Sequence, residues 1–280
     1  MKKLLILFLL ALQSLVAKPI LAVSIPMQEE FIQKIAGMEY EIISLVEKGV
    51  NPHDFEPKFS SIKKVNEAIA YFSIGIEFED SWLKRFKQQN PQMQIFPSNA
   101  GIDFINFAQN THHHENHSHD NGDKHIWLST SNAKQIATNL YKALSTLNPQ
   151  KDYSKAYEAL IIEIKNTDKI IKENLKNLPK GQKFVVFHPM LGYFAKDYNL
   201  EEISIEVEGK SPKMKEMMKV INTIKKENLK IIFAQPEFST KAAEFIAQES
   251  GAKLGYFSPL QTPWAENLID FSKTLKAMQE

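Results

Sequence analysis

The chain contains no cysteine, which excludes a disulfide scaffold, a thiolate metal centre and a cysteine nucleophile. It also lacks a surplus of charge. Its 34 Lys and Arg against 33 Asp and Glu leave a formal +1, which removes the case for a nucleic-acid binder held by a basic surplus. No segment after the N-terminus approaches the roughly 20 apolar residues needed to cross a bilayer. Gly-x-Ser-x-Gly, a phosphate-cradling glycine-rich loop and His-Glu-x-x-His are all missing, so hydrolase, nucleotide-binding and zinc-protease readings have no motif to stand on. Any metal or catalytic site must therefore be written with His, Asp, Glu and hydroxyl groups. What is present is 280 residues, 43% hydrophobic and 24% charged, enough for one large domain or two modest ones.

The N-terminus assigns a compartment. Met1-Lys2-Lys3, an apolar run from Leu4 to Leu12 and small or neutral residues up to Ala17 have the layout of a cleaved secretory signal peptide over residues 1–17. Cleavage after Ala17 removes Lys2 and Lys3 and takes the formal charge from +1 to −1. No cysteine follows, so lipid attachment there is excluded. Export of a soluble protein to the periplasm is the expectation.

Along the mature part, short apolar runs alternate with helical spacing. Ile20–Ile25 reads as a strand, Met27–Ile35 as a helix, Tyr40–Val46 as a strand and Ser60–Ala68 as a helix. Ile69–Ile76 is then a strand and Phe78–Gln88 a helix. A polar stretch, residues 106–124, interrupts the rhythm before a helix over Ser131–Leu147. Asp152–Leu178, without Gly or Pro, reads as a single long helix of about 40 Å at 1.5 Å per residue. Strands at Lys183–Phe187, Ile203–Val207, Leu229–Ala234 and Ala252–Phe257 follow. They alternate with helices from Ser211-Pro212 to Asn228, over Ser239–Ser250, and from Asn267 onward. The expectation is an α/β fold of two lobes with parallel-type sheets flanked by helices. The N-terminal lobe occupies residues 18–150, the connecting long helix 151–179 and the C-terminal lobe 180–280. A cleft between lobes is a common place for ligands.

Eight histidines carry the chemistry. Five form a tract, His112, His113, His114, His117 and His119, beside Asp120 and Asp123. The other three stand alone: His53 in Asn51-Pro52-His53-Asp54-Phe55-Glu56-Pro57, His125 in Asp123-Lys124-His125-Ile126-Trp127-Leu128, and His188 after Phe184-Val185-Val186-Phe187. Taken singly, each is an ordinary surface or hydrogen-bonded core histidine. Taken together, all three can face one cleft, and neutral imidazoles suit four-coordinate zinc with bonds of about 2.0–2.1 Å.

These motifs resemble the metal-binding solute-binding proteins that feed zinc or manganese to ABC importers, and in particular the zinc-binding branch. The similarity covers nearly the whole mature chain. It includes the three segments around His53, His125 and His188, the segment Phe233-Ala234-Gln235-Pro236-Glu237-Phe238, the long helix, and a His-rich loop before the second ligand. It implies that His53, His125 and His188 bind the metal, that the protein is a carrier and not an enzyme, that its cargo is Zn2+, and that its partner is an ABC membrane permease. A histidine at 188 favours zinc, because manganese-selective relatives tend to carry a carboxylate there. At the place of a fourth ligand, an aspartate before Pro-Leu in many relatives, this chain has Ser258-Pro259-Leu260. Water or a nearby carboxylate, Glu56 or Glu208, is then expected to complete the shell. Lys124 replaces the family's usual proline.

The His-rich tract, with no apolar face, reads as a loop collecting metal weakly at several points, or as a neutral insertion. Glu206 and Glu208 read as a solvated strand face, and Trp127 as packing beside His125. A monomer is expected. The competing readings are a manganese carrier or adhesin of the same fold, and a zinc hydrolase with an open water position on the three histidines. Copper(II) would exceed zinc in intrinsic affinity here. Since imidazoles bind metal only when neutral, affinity is expected to fall below about pH 6.5.

Overall fold

The computed structural model describes residues 17–105, 122–206 and 212–277. The signal segment up to residue 16, the five clustered histidines and Glu208 lie outside these residues. The chain opens with β1 (Ile20–Val23) and α1 (Pro26–Ala36), whose Pro26 sits in the first turn where a missing N–H costs nothing. Then come β2 (Glu41–Ser44), α2 (Phe59–Asn66), β3 (Ala70–Ser73), α3 (Glu79–Gln89) and β4 (Gln94–Pro97). A short 3₁₀ turn, Ile126–Leu128, leads into α4 (Thr130–Leu147), where the Ser129 hydroxyl accepts from Asn132 N at 3.1 Å and caps the helix.

The long helix is α5 (Ser154–Leu175), 22 residues of the expected stretch. Leu160, Ile164, Thr167, Ile171 and Leu175 form its buried stripe. The second lobe contains β5 (Gln182–Val186), α6 (Gly192–Asp197), β6 (Leu200–Ser204), α7 (Met214–Glu227), β7 (Ile231–Ala234), α8 (Lys241–Ser250), β8 (Lys253–Tyr256) and α9 (Trp264–Ala277).

Each lobe holds a four-stranded, all-parallel sheet, with order β2-β1-β3-β4 in the first and β6-β5-β7-β8 in the second. In both, the first strand is central and the chain leaves it in opposite directions. That places a crevice at the carboxyl ends of β1 and β3, and another at those of β5 and β7. Helix α5 packs against α1, α4 and α9. One hydrophobic core runs continuously from Leu21 and Phe72 through Ile164 and Ile171 to Phe184 and Phe271. A smaller cluster under α7 and α8, including Ile221, Ile232 and Ile246, completes the second lobe.

Four elements differ from the sequence expectations. β4 is a half-exposed strand without an apolar run, and α6 is only six residues long. β6 covers Leu200–Ser204 instead of Ile203–Val207. The final helix begins at Trp264, three residues before Asn267. No helix among the described residues is long and apolar enough to cross a membrane.

Candidate metal centre

Three loops meet between the lobes, and each is shaped by its own polar residues. His53 follows β2 in a turn closed by its N–H donating to Asn51 Oδ1 at 3.0 Å, with Asn51 Nδ2 donating to Asp54 Oδ2 at 3.0 Å. His125 lies in a second such turn, where Asp123 Oδ1 accepts from His125 N at 2.9 Å and pairs with its ring Nδ1 at 2.8 Å. His188 stands just beyond the end of β5.

The candidate ligand nitrogens of His53, His125 and His188 all lie within 4.8 Å of one another. The ring pairs sit at 5.2, 4.7 and 5.3 Å between centroids. Among the described residues this is the one group of three or more His, Asp or Glu side chains able to hold a metal ion. His125 and His188 are buried and His53 is partly open to solvent.

Every one of the three imidazoles has its Nδ1 against a carboxylate: His53 with Glu77 at 3.2 Å, His125 with Asp123 at 2.8 Å and His188 with Glu206 at 2.7 Å. An Nδ1–H donated to a carboxylate sets the tautomer, turns the lone pair onto Nε2 and makes that nitrogen a better ligand. Two of the Nε2 atoms, those of His53 and His188, already approach to 3.0 Å. A tetrahedral zinc with bonds of about 2.1 Å separates its ligand atoms by roughly 3.4 Å, so the cluster needs only small adjustment to receive one.

Burial favours the neutral form of all three rings, and Glu77 sets His53 apart. For His125, burial is the main cause that lowers its pKa to about 3, with the His53 charge adding to it. Burial likewise lowers His188 to about 4, against the pull of Glu206. His53 is also partly desolvated, but its hydrogen bond and charge interaction with Glu77 outweigh that and leave its pKa raised. Burial pulls Glu77 upward too, yet His53 prevails and brings its carboxyl down to about 2. Burial pushes Asp123 up to about 7. His53 is thus the ring that carries a proton most readily, and in that state it donates to Glu77 on one side and to His188 Nε2 on the other.

The surrounding contacts tie the two lobes together at the site. Tyr193 on α6 donates its hydroxyl to Asp123 O at 2.8 Å and accepts from Ile105 N at 3.1 Å. A Cβ on Gly192 would stand 3.0 Å from Asp123 Oδ2, so a larger residue there would crowd the carboxylate behind His125. Trp127 packs against His125 at 5.3 Å and donates its indole N–H to Pro259 O at 2.8 Å, while Trp264 donates to Trp127 O at 2.7 Å.

Sequence reasoning placed the three histidines in one cleft, and the structure brings them together. Of the two carboxylates it nominated, only Glu56 is among the described residues. Glu56 is exposed and outside the cluster, and Glu208 is not among the described residues. Glu206 is the opposite of a solvated face: it is 6% exposed and holds His188, because β6 ends at Ser204 and the strand alternation no longer applies at 206. Ser258, at the family's fourth-ligand place, donates its hydroxyl to Glu237 Oε1. Glu77, Asp123 and Glu206 were missed as ring partners. Asp123, two residues before a histidine, carried the signal of an Asx turn; Glu77 carried none.

Over residues 21–280 the sequence matches the family described as ZnuA, zinc-uptake complex component A, periplasmic. The chain belongs to this family. The family is described as a component of a zinc-uptake complex.

It is 30% identical to the zinc-binding protein AdcA of Streptococcus pyogenes serotype M3 over 251 residues, 83% of this chain and 48% of that protein. It is 26% identical to the zinc-binding lipoprotein AdcA of Streptococcus pneumoniae strain R6 over 271 residues, 90% of this chain and 53% of that one. The chain thus spans about half the length of these curated relatives. A crystal structure of ZnuA superposes with a TM-score of 0.86 at 35% identity, covering 94% of this chain and 100% of that one. The periplasmic zinc binding protein TroA of Treponema pallidum shares the fold, with a TM-score of 0.80 at 17% identity over 94% of this chain and 99% of that one.

Proposed function

We propose that this ZnuA-family chain captures one Zn2+ on the Nε2 atoms of His53, His125 and His188 and hands it to an ABC-type membrane permease. The observation that carries this reading is the pairing of each Nδ1 with a carboxylate, which leaves three Nε2 atoms facing one point between the lobes. Three nitrogen donors favour zinc over manganese, which prefers oxygen-rich shells. Glu56 is exposed and outside the cluster, so we assign the fourth position to water or to Glu208, which lies outside the described residues. Glu77, Asp123 and Glu206 then balance the ion from behind the rings.

Binding exchanges a proton for a metal. Glu77 raises the pKa of His53 against burial, and its Nε2 binds metal only when unprotonated, so binding is coupled to proton release at this ring. Export follows the N-terminal signal, with cleavage after Ala17, three residues ahead of β1. The five clustered histidines, outside the described residues, collect metal weakly at several points.

Calorimetric titration of chelator-stripped protein with zinc tests the site. One tight equivalent is expected, absent in His188→Ala, with manganese bound far more weakly. Retention of the tight equivalent by the folded variant would refute the three-loop site.

A further inference from the structure

Where β5 stops, the backbone of His188 is left without a partner strand. On the β7 side the last backbone hydrogen bond is Phe187 N to Phe233 O, at 2.8 Å, and on the β6 side it is Glu206 N to Phe187 O, also at 2.8 Å. Beyond them a side chain takes over. Gln235, the first residue after β7 and fully buried, accepts from His188 N at 3.0 Å through Oε1 and donates from Nε2 to His188 O at 3.3 Å. The same Nε2 lies 3.4 Å from Met190 Sδ. Donor and acceptor of His188 each fit one end of the amide, which fixes its orientation.

The turn that Gln235 opens also supplies a face for the ring. Phe238 N donates to Gln235 O at 3.1 Å, and the Phe238 ring stacks on His188 with centroids 4.7 Å apart and planes 18° from parallel. His188 is thus held at its backbone by Gln235, on its face by Phe238 and at Nδ1 by Glu206. The first lobe uses the same device without a metal. Gln28 Oε1 accepts from Ser24 N at 3.0 Å and Ile25 N at 3.2 Å where β1 ends.

Building on the zinc site proposed above, we propose that Gln235 is a positioning residue for metal binding. It acts through His188, setting where that imidazole stands relative to the other two. Completely buried and turned to the backbone, it has no access to the ion itself. Its neutral amide serves both backbone groups of His188 at once. A leucine serves neither, and a glutamate keeps the acceptor while losing the donor.

The test uses Gln235→Leu and Gln235→Glu in the whole mature protein, with Co2+ as a spectroscopic stand-in and zinc affinity measured by chelator competition. Folding is checked by circular dichroism and melting. Gln235→Leu is expected to weaken zinc binding by about 10–100-fold, the usual effect of removing support behind a ligand. It should also shift the cobalt d–d bands, with Gln235→Glu intermediate. A purely structural glutamine would lower the melting temperature and leave the bands in place. Unchanged bands in a folded variant therefore overturn the inference, whatever the melting shows. If the leucine variant does not fold, the glutamate variant decides by the same criterion. Wild-type protein that takes up no metal dependent on His188 would instead remove the site itself, and the inference with it.

Discussion

The two lobes have the same strand order and use its crevice in opposite ways. In the second, the crevice between β5 and β7 delivers a candidate ligand: His188 leaves the end of β5, and Gln235 and Phe238 leave β7 to hold it. In the first, the corresponding place is filled. Glu79 accepts from Ile74 N and Gly75 N, both at 2.8 Å, and from the Ser24 hydroxyl, which also meets Tyr71 at 2.7 Å. Gln28 ties the same strand ends to Ser98 at 2.9 Å. Glycine is required at 75, where φ is +92° and a Cβ would meet Asn99 at 2.7 Å. The first lobe therefore sends its histidines from outer connections, after β2 and after β4. A shared topology offers a site at its switch point; the side chains there decide whether it holds a ligand or closes the sheet.

Four perturbations would break or sharpen this contrast. The largest is Glu79→Leu in the closed crevice. It leaves the buried Ile74 N–H and the partly buried Gly75 N–H without their acceptor, at up to about 1–3 kcal/mol each, so urea unfolding of the metal-free protein should show a loss of about 2–5 kcal/mol.

The second is Glu206→Leu in the open crevice. It should cost about 10–100-fold in zinc affinity by chelator competition while changing stability less than Glu79→Leu. Equal stability losses in both variants would erase the distinction between the lobes.

The third is pH. With His125 and His188 lowered by burial to about 3 and about 4, both are neutral throughout the range from pH 5 to 8. His53 alone is raised, so metal must displace its proton as pH falls through and below that value. Affinity should drop by about tenfold per unit there, not the about thousandfold of three titrating rings. Zinc titrations at half-unit intervals read the slope directly. The sequence had pointed to a general loss below the ordinary imidazole value; the structure narrows it to one ring.

The smallest effect belongs to deletion of residues 112–119. The tight equivalent should persist with affinity within about threefold, and only weaker equivalents should vanish from the calorimetric trace.

Much of this was legible in the chain. Apolar runs such as Phe184-Val185-Val186 mark buried parallel strands because both sheet faces are covered. The stripe of α5 follows from its 3.6-residue period. β4 escaped because Gln94-Ile95-Phe96-Pro97 lies half-exposed at an edge, and α6 because six residues show no period. The carboxylates were harder. Glu77 reaches His53 from the loop after β3, and Glu206 reaches His188 across 18 residues. Neither relation has a sequence spacing that repeats.

By itself the sequence determined which chemistry was available, nitrogen and oxygen donors without thiolate, and which local turns would present His53, His125 and His188. Those are properties of residue type and short-range backbone preference. Tertiary structure alone decided which carboxylate stands behind each ring, which ring keeps a proton and which glutamine anchors His188. These depend on burial and on distances between segments far apart in the chain, and such quantities exist only once the two lobes have closed around α5.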